Sequence, residues 1–162
     1  MNRSYLILGS NMGNREKFLE MGISSLNEMN CKIAEKSSIY ETEPWGYSDE
    51  SKYLNQAVLV ETSYSAFELL HLIQHIEQEN DRVHTPQYSA RTLDIDILFF
   101  NDDIVSTDKL TIPHIHIASR RFVLKPLSEI AANYMHPVYQ MTISELLEKC
   151  TDRCLVKKIE DQ

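Results

Sequence analysis

Apolar and polar positions alternate along this chain with two periods, and the period switches several times. Ser4–Gly9 (SYLILG) is an almost unbroken apolar run closed by Gly9-Ser10-Asn11, the pattern of a buried strand. From Arg15 to Met29, the residues Phe18, Leu19, Gly22, Ile23 and Leu26 recur at helical spacing, which predicts a helix. Cys31–Thr42 alternates loosely and predicts a strand; Glu43–Glu50 has the Pro, Gly and polar content of a loop. Tyr53–Thr62 alternates again. Ser63 or Ser65 is placed to cap a helix over Ala66–Asn80, with Phe67, Leu70, Ile73 and Ile76 on its apolar stripe. After the polar stretch Arg82–Arg91, Thr92–Phe100 (TLDIDILFF) predicts a strand, followed by a turn at Asp102-Asp103 and a short Ile104-Val105 segment. Pro113 interrupts the chain, and Ala118–Leu127 and Ile143–Lys149 predict short helices.

Strand, helix, strand, strand, helix, strand is the split βαβ order of a ferredoxin-like α+β domain. It predicts a mainly antiparallel sheet, helices packed on one face, and extra C-terminal helices. No repeat or linker breaks the pattern, so the 162 residues are expected to form a single domain over 1–162 with its own core.

Composition narrows the class. An apolar fraction of 43% and a charged fraction of 25% are those of a globular protein and exclude disorder. No apolar run approaches the roughly 20 residues that span a bilayer, and the N-terminus lacks a secretory h-region. Three cysteines, an odd count, argue for a reducing compartment rather than a disulfide framework. A cytoplasmic protein with no membrane partner is the expectation. Cys150 and Cys154 fall four apart on the predicted last helix, but no second ligand pair follows, so they are expected to be ordinary thiols and not a zinc site. A net charge of −8 disfavours nucleic acid, whose backbone wants a basic face. It leaves phosphorylated small molecules open.

The sharpest chemical feature is Leu93-Asp94-Ile95-Asp96-Ile97. In a strand, Leu93, Ile95, Ile97 and Phe99 would face a core and Asp94 and Asp96 the opposite side. Two adjacent carboxylates repel, and a divalent cation removes the repulsion. Magnesium suits such a pair, because it takes one or two carboxylates together with substrate phosphates. The alternative is a solvated sheet edge. Neither a P-loop nor a G-x-G-x-x-G motif is present, so side chains would have to hold any phosphate. Cations do cluster around the pair: Arg82, His84 and Arg91 before it, Lys109, His114, His116, Arg120 and Arg121 after it. Surface ion pairing is the plainer use for them. A third feature is Trp45 in a loop, Tyr53 and Asn55 on one strand face, and Phe122, a set that could stack a flat heterocycle and pair with its edge. Ordinary core packing is the plainer use there.

Four blocks in order carry a family resemblance: LGSNMGNR at Leu8–Arg15, YETEPWG at Tyr40–Gly46 with YLNQAV at Tyr53–Val58, RTLDIDIL at Arg91–Leu98, and LTIPHIHIASRRFVLKPLSEIA at Leu110–Ala131. Over essentially its whole length the chain resembles 6-hydroxymethyl-7,8-dihydropterin pyrophosphokinases. The resemblance implies a ferredoxin-like fold, ATP as co-substrate, two magnesium ions, and transfer of the terminal diphosphate to the pterin with release of AMP. It implies that Asp94 and Asp96 hold the magnesium ions. It places Thr42, Trp45, Tyr53, Asn55 and Phe122 at the pterin, and Arg82 and Arg91 on the transferring group. It places Glu77, Ile97, Lys109, Thr111, His114 and Arg120 at ATP. The chain departs from the family pattern at His84, where a second arginine is common, and at Ser89-Ala90, where Gly-Pro precedes Arg91. A monomer is expected. A non-catalytic binding relative need not keep both aspartates, and an RNA-binding module conflicts with the acidic charge.

Overall fold

The N-terminal apolar run forms β1 (Asn2–Ser10), and two other long strands, β4 (Tyr53–Thr62) and β5 (Asp94–Phe100), flank it. The computed structural model describes residues 1–43, 52–81 and 92–159. Between these strands come α1 (Arg15–Glu28), β2 (Lys32–Lys36), β3 (Tyr40–Thr42) and α2 (Ala66–Asp81). After β5 follow β6 (Val105–Ser106), β7 (Thr111–Ile112), a 3-10 turn (Ile117–Ser119), α3 (Arg121–Ala131), α4 (Ile143–Lys149) and β8 (Val156–Lys158). The main sheet runs β5-β1-β4-β3-β8, with β2 also on β4, and its pairings are antiparallel. This is the ferredoxin-like α+β architecture expected.

Each face of the sheet has its own core. Leu6 and Leu8 of β1 and Leu93, Ile95 and Ile97 along β5 pack under Leu19 and Leu26 of α1 and Leu69, Ile73 and Ile76 of α2. On the other face Ile7, Ala57, Leu98 and Phe99 pack under Val123, Leu124 and Leu127 of α3 and Ile143 and Leu146 of α4. Each such side chain contributes about 1.5–3 kcal/mol on burial. The helices of the split βαβ unit thus share one face, and the extra C-terminal helices cover part of the other.

Several local expectations change. The Cys31–Thr42 strand divides in two at Ser37, whose hydroxyl accepts the Ala57 N–H at 2.9 Å in place of a main-chain carbonyl. The stripe of α2 runs through Leu69, Ile73 and Ile76, which leaves Phe67 41% exposed on another side of the helix. Ser65 is the cap: its Oγ accepts the Glu68 N–H at 3.2 Å while Glu68 accepts the Ser65 N–H at 2.8 Å. The expected Ala118–Leu127 helix becomes the 3-10 turn followed by α3, which runs on to Ala131. Cys150 and Cys154 do not share a helix, because α4 ends at Lys149 and Cys150 already has extended backbone.

Phe99 also lies on the face opposite the one expected. Leu6 pairs with Ile97 and Tyr5 with Phe99, so Leu98 is the extra residue of a bulge. Leu98 and Phe99 therefore both enter the second core. There Phe99 meets Tyr134 with ring centroids 4.6 Å apart and the edge of His136 at 5.3 Å. His136 is buried, stacks on Tyr139 at 4.4 Å, and its Nδ1 accepts the Val138 and Tyr139 N–H groups, both at 3.1 Å.

Burial pushes the His136 imidazole below its ordinary pKa. The unfolded chain then binds the proton more readily, so stability falls as pH drops below about 6.5. Urea unfolding at pH 7 and pH 5 should show this loss. The His136→Asn variant, whose amide oxygen can still accept those N–H groups, should show a smaller loss; an equal or larger one would contradict the assignment.

Candidate active site

Beyond the part covered by α3 and α4, the second face of the sheet is open among the described residues, and its floor follows from strand register. Asp94 pairs with Gly9, Gly9 with Asn55, and Asn55 with Tyr40, one row across four strands. In the next row Asp96 pairs with Ile7 and Ile7 with Ala57. Directly paired residues share a face, so the Asp94 and Asn55 positions lie about 10 Å apart, two strand spacings, with no side chain between them. Glycine keeps the floor bare: a Cβ on Gly9 would lie 2.7 Å from Asn55 Nδ2, and the Asn55 amide would have to move.

Over this floor is a cleft of about 600 Å³. Thr42, Tyr53 and Asn55 line it from β3 and β4, and Asp94 and Asp96 from β5. His114, Arg120 and Phe122 close it from the segment that leads into α3. The Leu98 carbonyl at the bulge accepts the His114 N–H at 3.0 Å and so fixes that segment to β5. The Arg120 guanidinium lies over the Phe122 ring, 5.7 Å from its centroid, a cation–π arrangement that orients both.

Two groups in this cleft want a partner. Thr42 Oγ1 and Asn55 Oδ1 are buried and have no hydrogen-bond partner among the described residues, while Asn55 Nδ2 donates to Leu8 O at 3.4 Å. Buried polar atoms are rarely left so, and two acceptors in one cleft suit a ligand edge rich in N–H groups. Two further orphans, Ser10 Oγ and Asn80 Oδ1, are not among the lining residues.

The opposite end is ionic. Burial pushes the His114 imidazole down, Asp96 pulls it up, and Arg120 and His116 push it down again, leaving it below its ordinary pKa. Its Nδ1 accepts the His116 N–H at 3.2 Å, so the proton of the neutral ring sits on Nε2, a donor. Among the described residues no three His, Cys, Asp or Glu side chains converge on a metal position. Asp94 and Asp96 thus supply two ligands at most from that set, which fits magnesium completed by water and phosphate and does not fit structural zinc.

The residues singled out from the sequence separate into three groups. Thr42, Tyr53, Asn55, Phe122, Asp94, Asp96, His114 and Arg120 meet in the cleft. Glu77, Ile97, Lys109 and Thr111 do not line it. Glu77 accepts the Ile95 N–H at 2.9 Å behind the carboxylate strand, the Ile97 side chain is in the core, and Lys109 and Thr111 are exposed. A ligand could therefore reach Ile97 only through its main chain. Trp45, Arg82 and Arg91 lie outside the described residues. Gly9 and Asp152 line the cleft without having been singled out for it; Gly9 had a signal in the sequence as the last residue of a buried run, Asp152 had none.

Fold and site define an α+β domain suited to hold a polyphosphate and a flat polar ring in one cleft. The family model described as 7,8-dihydro-6-hydroxymethylpterin-pyrophosphokinase matches residues 5–132. The chain is 45% identical over 130 residues to the 2-amino-4-hydroxy-6-hydroxymethyldihydropteridine pyrophosphokinase of Bacillus subtilis, covering 80% of this chain and 78% of that protein. To the enzyme of the same name from Haemophilus influenzae it is 35% identical over 158 residues, covering 97% and 98%. The HPPK-DHPS crystal structure from Plasmodium falciparum with pteroate shares the fold, with a TM-score of 0.76 at 19% identity. That likeness covers 91% of this chain and 44% of the longer one. The chain belongs to the 7,8-dihydro-6-hydroxymethylpterin-pyrophosphokinase family.

The orphaned Thr42 hydroxyl costs stability in the ligand-free protein. Thr42→Val keeps the shape and removes the unsatisfied group, so it should raise urea stability by about 1 kcal/mol. A less stable variant would show that the hydroxyl is satisfied.

Proposed function

We propose that this chain transfers the β,γ-diphosphate of ATP to the hydroxymethyl oxygen of 6-hydroxymethyl-7,8-dihydropterin, giving the pterin diphosphate and AMP for folate biosynthesis. Family membership supports the reaction class. The observation that carries it in the structure is one cleft that joins the Asp94 and Asp96 carboxylates to the orphaned Thr42 and Asn55 acceptors.

The N–H groups of the pterin edge would bond to Asn55 Oδ1 and Thr42 Oγ1, with Tyr53, Phe122 and Trp45 on its ring faces. The bare floor at Gly9 lets the ring lie flat on the sheet, its hydroxymethyl arm directed along the row toward Asp94. Two magnesium ions held by Asp94 and Asp96 would supply neutralisation of the ATP phosphates. His114 Nε2 and Arg120 donate to phosphate oxygens, and Glu77, the Ile97 main chain, Lys109 and Thr111 take the rest of the nucleotide. The hydroxymethyl oxygen attacks the β-phosphorus in line as its hydroxyl proton passes to solvent water, and the bond from that phosphorus to the α,β-bridging oxygen breaks. AMP departs with the bridging oxygen, and Arg82 and Arg91 offset the charge that develops. Such transfers need positioning and charge neutralisation more than covalent help. The protein acts as a monomeric single domain over 1–162 in the cytoplasm. Among the described residues no helix is long and apolar enough to cross a membrane.

Incubated with ATP, magnesium and the pterin, the protein should form AMP and pterin diphosphate in equal amounts, and EDTA should stop both. ADP in place of AMP would refute diphosphate transfer. Asp96 is exposed, so Asp96→Ala should keep the circular dichroism spectrum and melting temperature while kcat falls by about a thousandfold or more. A folded Asp96→Ala protein with normal turnover would refute the metal assignment.

A further inference from the structure

The last described segment ties together two walls of the cleft that are far apart in sequence. β8 pairs antiparallel with β3, Val156 opposite Thr42 and Lys158 opposite Tyr40, and the Ile159 N–H donates to Ile39 O at 2.8 Å. A few residues earlier, Asp152 reaches the start of α3. Its Oδ2 accepts the Arg121 N–H and its Oδ1 the Cys154 N–H, both at 3.0 Å.

This contact supplies what α3 lacks. The residue before α3 is Arg120, whose side chain makes no capping bond, and the first turn holds no acidic residue. A first turn without an acceptor frays, and a carboxylate there is favoured both as a cap and by the helix dipole. Burial raises the Asp152 carboxyl, but the Cys154 and Arg121 N–H groups outweigh it and hold the group below the ordinary carboxylate range. It is therefore an anion at neutral pH. The capped N–H belongs to the residue between Arg120 and Phe122, the two groups that this wall presents to the cleft. The family match ends at residue 132, well before this segment.

We infer that Asp152 is a positioning residue for the pterin half of the cleft: it anchors the first turn of α3 to a tail zipped onto β3, and so sets Phe122 against Thr42. The inference rests on reading this cleft as the pterin site. Asp152 touches neither Phe122 nor Thr42 by any hydrogen bond of its own; it acts through the main chain of α3 and through β8.

The test separates the cap from the site. In the ligand-free protein, Asp152→Ala should speed amide exchange in residues 121–124 by about tenfold, the loss of one cap. The same variant should raise the Kd and KM for 6-hydroxymethyl-7,8-dihydropterin by about five- to tenfold, with the KM for ATP and kcat within about twofold of wild type. Asp152→Asn, which keeps a carbonyl acceptor, should recover most of the affinity. Lys157→Pro, which removes the N–H that faces β3 in the same phase as that of Ile159 and leaves Asp152 in place, should weaken pterin binding in the same sense. If Asp152→Ala does not fold, Lys157→Pro carries the test through the same exchange and pterin Kd readouts. Unchanged exchange in Asp152→Ala, or in Lys157→Pro where the Ala variant does not fold, would overturn the cap. Faster exchange with unchanged pterin Kd would overturn the positioning role. Wild-type protein that binds no pterin would overturn the reading of the cleft, and the exchange result would then stand by itself as a purely structural cap.

Discussion

Burial of Leu93, Ile95 and Ile97 under α1 and α2 decides where the Asp94 and Asp96 carboxylates go. A strand alternates, so three anchored apolar residues force the residues between them onto the opposite face. Slipping the register by one would put two carboxylates into a closed core, at a cost no surface contact could offset. The facing of the acidic pair is thus set by hydrophobic burial on the far side of the sheet. The bulge at Leu98 then changes the character of the same face within two residues. Along β5 that face presents Asp94, Asp96, Leu98 and Phe99, polar first and doubly apolar after. α3 and α4 grip the apolar half, which leaves the polar half as the cleft. The bulge carbonyl also holds His114, so one irregularity both ends the open region and furnishes one of its walls.

The half of the cleft proposed for the pterin works by the opposite device, groups left wanting. Asn55 is buried because Tyr40 and Gly9 flank it in the sheet, yet its oxygen and the Thr42 hydroxyl have no hydrogen-bond partner among the described residues. Unsatisfied groups lower the stability of the ligand-free state, and a ligand that satisfies them recovers that energy on binding. Such a site rejects a ring lacking the matching donors more strongly than an apolar slot could. Stability and recognition here draw on the same two atoms, and a large core on both faces of the sheet makes the deficit tolerable.

How far the sequence reveals this depends on the range over which each feature is decided. Alternation within Leu93–Ile97 is local, and the placement of Asp94 and Asp96 was legible from it. So were the elements with their own caps, such as the α4 box in which Thr142 Oγ1 accepts the Glu145 N–H at 3.1 Å and Glu145 accepts the Thr142 N–H at 3.0 Å. Phe99 was misplaced because a bulge depends on how β1 pairs with β5, which no window of β5 contains. The division of the second strand at Ser37 depends on Ala57, twenty residues away. β8 is three residues long, too short for any periodicity to register, and exists because β3 offers an edge. The heterocycle set was legible as residue types, but its geometry needed Gly9 lying opposite Asn55. Asp152 had no signal at all, since its partner is a main-chain N–H in a helix 31 residues upstream.

The overall charge of −8 and a polyphosphate substrate are compatible because electrostatics in salt is local. At physiological ionic strength charges are screened beyond about 8 Å, so carboxylates on distant surfaces weigh little against Arg120 and His114 at the cleft itself. The near carboxylates are another matter. Bare ATP approaching Asp94 and Asp96 would meet like charge at contact range, where screening gives no relief, and the Arg120 cation on the facing wall faces the same two anions. A nucleotide that brings its divalent cation reverses the sign of that encounter, and the acidic pair becomes the attractive feature of the floor. On the proposed reading, with the phosphates over Asp94 and Asp96, selection for the metal-complexed nucleotide needs no residue dedicated to it; it follows from the position of the two carboxylates.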